Sequence, residues 1–231
     1  SNGTALTGAN VTTLDRLGRT MTHVGSPTID TAAGGTGFAG INYVGASSQY
    51  TTFDPVAALL NVLGSSGKLS YTFMVAFRVA DITPDSTMQV VYFSANVASN
   101  APLITLRMRT NTNGVVESQR ANGAGGSTII PVVAHTASEL STNVEIFTVS
   151  SNGAQGMIER GDTITVPLEA QDQHSDVAIT QLTFAANRTN AVSTYGTFKL
   201  LGFGAWNGML GVEQKAYARR LLGARCGVYT V

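Results

Sequence analysis

The sequence predicts an all-β protein, a two-sheet antiparallel β-sandwich with a short C-terminal helix. Segments rich in aromatic and β-branched residues recur along the chain. Turn-forming Gly, Asn and Asp separate them roughly every 8–12 residues, a spacing that favours a sandwich over alternating strands and helices. One amphipathic segment follows the last strand-like run, near the C-terminus.

The strongest strand signal is Leu69–Val79, which is long enough for a central sandwich strand. In Leu103–Arg109, apolar and polar residues alternate, as expected where one face of a sheet is buried. Further strands are predicted at Met88–Phe93, Val115–Arg120, Val144–Ser150, Gln155–Arg160, Ile179–Ala185 and Thr197–Ala205.

The C-terminal helix is predicted from about Gly211 to Leu222, with Glu213 in its first turn. The basic residues Lys215, Arg219 and Arg220 follow Glu213 along the helix. This order of charges complements the helix dipole. Leu210, Tyr217 and Leu221 fall on one stripe, which we expect to dock on the sandwich and leave the basic residues solvated.

A second, shorter helix is predicted between Asp54-Pro55 and Gly64. Asp54 can cap its start, proline suits the first helical position and glycine can end it.

The composition indicates one domain spanning residues 1–231. Hydrophobic residues make up 43% of the chain, enough for a substantial core. Charged residues make up only 12%, about half the usual share of roughly 25%. The polar surface must therefore consist largely of Ser, Thr, Asn and Gln, which suits an extracellular or virion protein.

Charge and hydropathy argue against two classes of partner. The net charge is zero and no basic run is longer than Arg219-Arg220, so we expect no nucleic acid. Apolar runs such as Val56–Leu60 are far shorter than the roughly 20 residues of a membrane-spanning helix, so we expect no membrane. The N-terminus lacks the features of a secretory signal, but a mature or truncated chain would look the same.

The single cysteine, Cys226, excludes an internal disulfide. It lies beside an apolar helix with no histidine near it in sequence. We therefore expect a small buried hydrophobic residue and not an activated thiol.

Phe38–Tyr50 has the pattern of a hairpin with an apolar strand, a glycine and an exposed strand, and Leu69–Val79 that of the strand that follows. This order of elements resembles the concanavalin A-like, laminin-G-like jelly-roll family. Val144–Gly153 with Gly156–Gly161 resembles its paired strands ending in a turn glycine. Trp206–Gln214 and Leu221–Val228 resemble its helix entry and its terminal tail, with Cys226 where an aromatic residue is usual.

The resemblance implies one convex and one concave sheet, with the concave face and rim loops as the place where relatives bind glycans or polypeptides. Some relatives are hydrolases. Others are lectin-like modules of secreted proteins or of phage tail and head appendages, where tail fibers serve host recognition.

Hydrolases of this family carry catalytic carboxylates two or four residues apart on one strand, so that both lie on one face. Glu159 and Asp162 are three residues apart, as are Glu169 and Asp172, and each pair would face opposite ways. We therefore expect no catalytic residues and no glycoside hydrolase activity.

Asp172, His174 and Asp176 have same-face spacing in an extended segment. Two carboxylates and an imidazole could hold a divalent cation such as calcium, or contact a polar ligand. The alternative is a polar loop whose side chains meet only water. No other cofactor is expected.

Arg107 and Arg109 lie on the polar side of their strand. If that side is the concave face, they could bind an acidic polysaccharide through bidentate contacts; the alternative is solvated surface arginine. Trp206 is interpreted as the aromatic residue that packs before the helix, and this role is preferred over stacking on a sugar.

The leading hypothesis is a non-catalytic carbohydrate-binding, lectin-like module that recognises cell-surface glycan within a virion appendage or a secreted protein. Its other partners would be subunits of that assembly. The alternatives are a structural virion decoration or tail subunit that forms a homo-oligomer without binding glycan, and a glycan hydrolase.

Overall fold

The computed structural model describes residues 5–6, 8–12, 20–31, 39–54, 70–79, 87–94, 104–109, 115–121, 127–133, 144–152, 156–160, 164–168, 181–188, 192–193 and 195–227. In these residues the chain is built mainly of strands. In chain order they are β1 (Gly8–Thr12), β2 (Thr20–Val24), β3 (Thr28–Asp30), β4 (Gly40–Tyr43), β5 (Tyr50–Asp54), β6 (Ser70–Arg78), β7 (Thr87–Ser94), β8 (Ile104–Arg109), β9 (Val115–Ala121), β10 (Ser127–Val133), β11 (Glu145–Asn152), β12 (Gly156–Arg160), β13 (Ile164–Leu168), β14 (Gln181–Phe184), β15 (Asn187–Arg188), β16 (Val192–Ser193) and β17 (Phe198–Asn207).

The strands form two large antiparallel sheets and one short pair, β15–β16. One sheet has eight strands in the order β1-β2-β5-β14-β7-β8-β9-β10. The other has seven, in the order β13-β12-β11-β6-β17-β4-β3. The predicted fold class, a two-sheet antiparallel sandwich followed by one C-terminal helix, is confirmed.

Aromatic side chains fill the space between the two sheets. Phe184 of the eight-stranded sheet lies 5.0 Å, ring centre to ring centre, from Phe203 of the seven-stranded sheet. Phe77 stacks on Phe147 at 5.6 Å within the seven-stranded sheet, and both are fully buried. Because side chains alternate along a strand, the neighbours of these phenylalanines point to the opposite, outer face of that sheet.

The segment from β4 to β5 crosses between the sheets, so the predicted hairpin within Phe38–Tyr50 is wrong. β4 pairs with β3 and β17, whereas β5 pairs with β2 and β14. A 3-10 turn at Gly45–Ser47 makes the crossing. Gln49 fixes it, because its side chain accepts a hydrogen bond from the Val44 amide at 2.7 Å and donates one to the Ser26 carbonyl at 3.2 Å.

The C-terminal helix, α1, spans Val212–Cys226 and therefore extends beyond the predicted end at Leu222. It continues through Gly223, which is buried against the sandwich, and ends at Gly227. Gly227 has φ 76° and donates its amide to the Gly223 carbonyl, a left-handed helix end that glycine adopts without a steric penalty. The second predicted helix, 55–64, lies outside the described residues.

The orientation of α1 reverses the prediction. Tyr217 and Leu221, which were expected to dock, are 65% and 50% exposed. Lys215 and Arg219, which were expected to be solvated, are 2% and 4% exposed and face the sandwich. Among the described residues, no helix combines the length and apolar character needed to cross a membrane.

Candidate functional site

A buried ion pair fixes the rotation of α1 on the seven-stranded sheet. Glu159 of β12 is only 7% exposed, and its Oε2 lies 2.6 Å from Nζ of Lys215. Nη1 of Arg219, one helical turn further on, lies 3.7 Å from the other carboxylate oxygen. A buried charge is tolerated when it is paired, which is why two basic residues can take the inner side of this helix.

The sheet allows α1 to approach closely because β17 carries glycine where the helix crosses it. A Cβ atom at Gly202 would lie 3.0 Å from Cδ1 of Leu222 and 3.5 Å from Sγ of Cys226. Cys226 packs here with Ala76, Ile146 and Leu201, and is 1% exposed.

Cys226 is thus the small buried hydrophobic residue that the sequence predicts. Burial raises the pKa of the Cys226 thiol to about 12, against a smaller opposite effect of the Arg225 charge. The thiol therefore stays protonated at neutral pH and is a poor nucleophile.

A groove of about 590 Å³ runs between the exposed side of α1 and the end of β17. Its walls are mainly aromatic and aliphatic and contain Trp206, Leu210, Tyr217, Leu221 and Leu222. From Gln214 to Arg225 the helical wall covers twelve residues, or about 16 Å for eleven steps of 1.5 Å. A concave, largely apolar site with a few polar groups is the usual form of a small-ligand pocket.

Gln214 and Arg225 are the polar residues of the helical wall, on opposite ends of the stretch that lines the groove. Gln214 has a second role at the start of α1, where its Oε1 accepts the Gly211 amide at 3.0 Å. Both side chains are exposed, so they can reach a ligand in the groove.

The Trp206 ring lies over Gly204, where it covers the place that a Cβ atom would occupy. Trp206 is half-buried and lines the groove, so it combines the packing role that the sequence predicts with a position facing the groove. Nothing in the sequence pattern distinguishes these two roles, since both require the same aromatic residue.

Thr72 of β6 holds the short connection between β17 and α1. Its hydroxyl donates to the Gly208 carbonyl at 3.0 Å and accepts the Leu210 amide at 2.9 Å. These two bonds fix Leu210 at the end of the groove. A threonine on the outer face of the sheet therefore helps shape the site although it does not line it.

Arg107 and Arg109, which the sequence predicts as ligand-binding residues, lie in β8. This strand belongs to the eight-stranded sheet, whereas the groove is formed by α1 and β17 of the other sheet. In the strand register, Arg107 is opposite Gln89 on β7 and Glu117 on β9, and Arg109 is opposite Thr87 and Val115. The structure does not bring them together with the residues of α1. A ligand-binding role for Arg107 and Arg109 stays a prediction.

The predicted cation or ligand site, Asp172, His174 and Asp176, lies outside the described residues and stays a prediction. In the part of the chain that the structure describes, no three His, Cys, Asp or Glu side chains are grouped as a metal site requires. Glu159, weighed above as a catalytic carboxylate, lies beneath α1 in its ion pair.

His23 belongs to a polar cluster inside the sandwich. Its Nδ1 lies 2.7 Å from Oγ1 of Thr51, which also accepts a hydrogen bond from the Tyr43 hydroxyl at 2.7 Å. Burial lowers the pKa of His23 and, outweighing the hydrogen bond to Thr51, raises that of Tyr43. The cluster links β2, β4 and β5 across the interior, and both ionisable groups are kept neutral.

Sequence reasoning missed Gln214, Tyr217 and Arg225 as groove residues. Gln214, Tyr217, Leu221 and Arg225 recur at intervals of three and four, so they share one stripe of α1. That stripe is visible in the sequence. What the sequence does not show is which stripe faces the sheet, because the deciding carboxylate, Glu159, is 56 residues from Lys215.

No protein-family model and no curated protein sequence matches the chain. Solved structures do. A botulinum neurotoxin type C structure, from a toxin whose cell entry depends on two ganglioside molecules, matches 96% of this chain and 51% of its own, with a TM-score of 0.66 and 8% identity. The binding domain of botulinum neurotoxin DC in complex with rat synaptotagmin II matches 96% and 52%, with a TM-score of 0.65 and 8% identity.

The CBM40 of the Ruminococcus gnavus IT-sialidase, bound to α2,3-sialyllactose, matches 72% of this chain and 88% of its own. Its TM-score is 0.54 and its identity 11%. The chain spans about half the length of the neurotoxin chains that it matches. At these identities the likeness concerns the fold alone, and it shows that this chain folds as a two-sheet antiparallel jelly-roll sandwich.

Proposed function

We propose that this chain is a non-catalytic carbohydrate-binding module that recognises cell-surface glycan as part of a secreted protein or a virion appendage. The groove between α1 and β17 is the observation that carries the proposal, because it is a concave site with aromatic walls on a sandwich. The fold likeness supports it, since the similar structures include a CBM40 bound to sialyllactose and a ganglioside-dependent toxin.

The chemistry of the groove suits a saccharide. The C–H faces of a sugar ring are apolar and can pack on Trp206 and Tyr217, while its hydroxyls can reach Gln214 and Arg225 at the rim. Trp206 and Tyr217 come from different elements, so a ring entering the groove meets an aromatic side chain on each wall.

A binding role without catalysis agrees with the state of Glu159. Glycoside hydrolysis needs a pair of carboxyl groups flanking the scissile bond. Glu159 is held 2.6 Å from Lys215 beneath the helix, where a glycosidic bond cannot reach it. We therefore expect polysaccharide chain length to stay constant on incubation with the protein.

The test compares the two candidate sites by adsorption to cells and by binding on a glycan array. Trp206→Ala should weaken binding at least about tenfold, because a central tryptophan commonly dominates a binding site. The double substitution Arg107→Ala, Arg109→Ala is the matched comparison on the eight-stranded sheet. A cooperative melting transition well above the assay temperature in both variants serves as the folding control.

Loss of binding only in the arginine double variant would move the site from the groove to the eight-stranded sheet. Wild-type protein that binds no saccharide on the array would overturn the proposed function.

A structural subunit that forms oligomers is the second candidate, and the exposed side chains of α1 favour it. Val212, Tyr217 and Leu221 are 78%, 65% and 50% exposed. Exposed apolar side chains that lie together can mark an interface with another subunit. Light scattering on the wild type and on Tyr217→Ser would decide: a stable oligomer that Tyr217→Ser dissociates, together with an empty glycan array, would favour this candidate.

A further inference from the structure

The polar side chains of the groove are mostly hydrogen-bond donors. Oε1 of Gln214 accepts the Gly211 amide at 3.0 Å, which fixes the orientation of this side-chain amide and leaves the NH₂ group for a ligand. The Trp206 indole N–H can only donate, and so can the guanidinium of Arg225. Among the polar side chains of the groove, the Tyr217 hydroxyl can also accept, and Oε1 of Gln214 keeps one lone pair beside its bond to the Gly211 amide.

The charged residues that line the groove also make it positive. Among the described residues that line it, none is Asp or Glu, and Arg225 is the residue with a permanent charge. The nearby carboxylate of Glu159 lies on the other side of the helix, where it faces Lys215 and Arg219. It therefore does not offset the charge of Arg225 in the groove.

We infer that the groove selects an anionic saccharide, whose carboxylate or sulfate ester is bound by Arg225 while a ring of the sugar packs between Trp206 and Tyr217. This inference rests on the proposed carbohydrate-binding function. An anionic group offers acceptors only and so matches a donor-rich site, and its charge strengthens each hydrogen bond. The planar guanidinium of Arg225 can bind such a group through two parallel bonds.

The experiment uses an array of saccharides in matched pairs, in which each acidic member differs from its neutral partner by one carboxylated sugar or one sulfate ester. Lactose with sialyllactose, and lactose with sulfated lactose, are two such pairs. Affinities for the best pair are then measured by calorimetry and by the fluorescence of Trp206, the only tryptophan of the chain.

We expect the acidic member to bind roughly ten- to hundredfold more tightly than its neutral partner, the range for hydrogen bonds to a charged group. Arg225→Gln should reduce its affinity to that of the neutral partner. Arg225→Lys keeps the positive charge but loses the two parallel hydrogen bonds of the guanidinium, so it should retain part of the preference for the acidic saccharide. Raising the salt concentration should weaken binding of the acidic member more than that of the neutral one.

Arg220→Gln is the matched control, because Arg220 is exposed on the same helix and does not line the groove. We expect it to leave the preference unchanged. Equal binding of acidic and neutral partners, or equal effects of Arg220→Gln and Arg225→Gln, would overturn the inference and leave the proposed function standing. An array on which no saccharide binds would overturn both. Carboxylated and sulfated pairs that differ in strength would identify which anion the site prefers.

Discussion

Replacing Glu159 by glutamine removes one negative charge and leaves the size of the side chain almost unchanged. The substitution leaves the ammonium of Lys215 and the guanidinium of Arg219 buried without the carboxylate that they share. The three side chains are 3–10% exposed, so solvent screens the loss very little. Removing one partner of a buried ion pair usually costs about 3–5 kcal/mol.

The reverse substitution, Lys215→Met, should be milder. It removes one of the two cations, and the Glu159 carboxylate keeps Arg219 at 3.7 Å. The methionine side chain also refills most of the space that the lysine stem occupied. We expect a cost of about 1–3 kcal/mol, the range for the loss of a hydrogen bond to a buried charged group.

Urea unfolding of the wild type and both variants measures these costs. A loss of about 3–5 kcal/mol should lower the melting temperature by about 6–20 °C in a domain of this size. The reasoning is refuted if Glu159→Gln costs less than about 1 kcal/mol, or if Lys215→Met costs as much as Glu159→Gln. Either result would mean that the carboxylate is not the common partner of two buried cations.

Three further perturbations test other parts of the structure. Burial lowers the pKa of His23 below its unfolded value of about 6.5, so the unfolded state binds more protons than the folded state below that pH. The free energy of unfolding should therefore fall as the pH drops below about 6.5, by at most about 1.4 kcal/mol per pH unit. His23→Asn should flatten this dependence of the free energy of unfolding on pH, measured by urea unfolding. Cys226, with its pKa raised to about 12, should resist a thiol reagent at pH 8 until urea unfolds the protein, and rapid labelling of the native state would contradict its burial. Gly204→Ala should push the Trp206 ring aside, shift its fluorescence and weaken ligand binding, whereas an unchanged spectrum would show that the ring does not lie over Gly204.

Local sequence pattern was sufficient to predict most of the described strands. β6, β8 and β11 begin within about two residues of their predicted starts, because aromatic and β-branched residues cluster there and turn residues bound them. The strands β1, β2, β3, β10, β13, β15 and β16 were not predicted. Two of them, β10 and β13, contain a proline, Pro131 or Pro167, which argues against a central strand.

The position of these two strands explains how they accommodate proline. Among the described strands, β10 and β13 each lie at one end of the strand order of their sheet, so one side of each is not needed for pairing with those strands. A residue without an amide hydrogen is tolerated at such an edge, and it also hinders further strands from adding there. Edge position depends on the whole topology, which a local pattern does not contain.

The orientation of α1 could not be predicted from its own sequence, because two opposing energies decide it. Turning the helix by about half a turn would bury Tyr217 and Leu221, and burying one such side chain completely stabilises a protein by about 1.5–3 kcal/mol. Both are already partly buried, so the gain for the pair would be about 2–3 kcal/mol. The turn would also separate Glu159 from its two partners, at about 3–5 kcal/mol.

The observed orientation is thus the more stable one by a small margin, and the margin depends on a carboxylate from β12. The same orientation places Tyr217 and Leu221 beside Trp206, which creates the groove. If α1 were turned the other way, the ligand site would be filled by the helix's own side chains. Glu159→Gln should therefore weaken saccharide binding as well as stability, although Glu159 does not line the groove, whereas Lys215→Met should leave binding near that of the wild type.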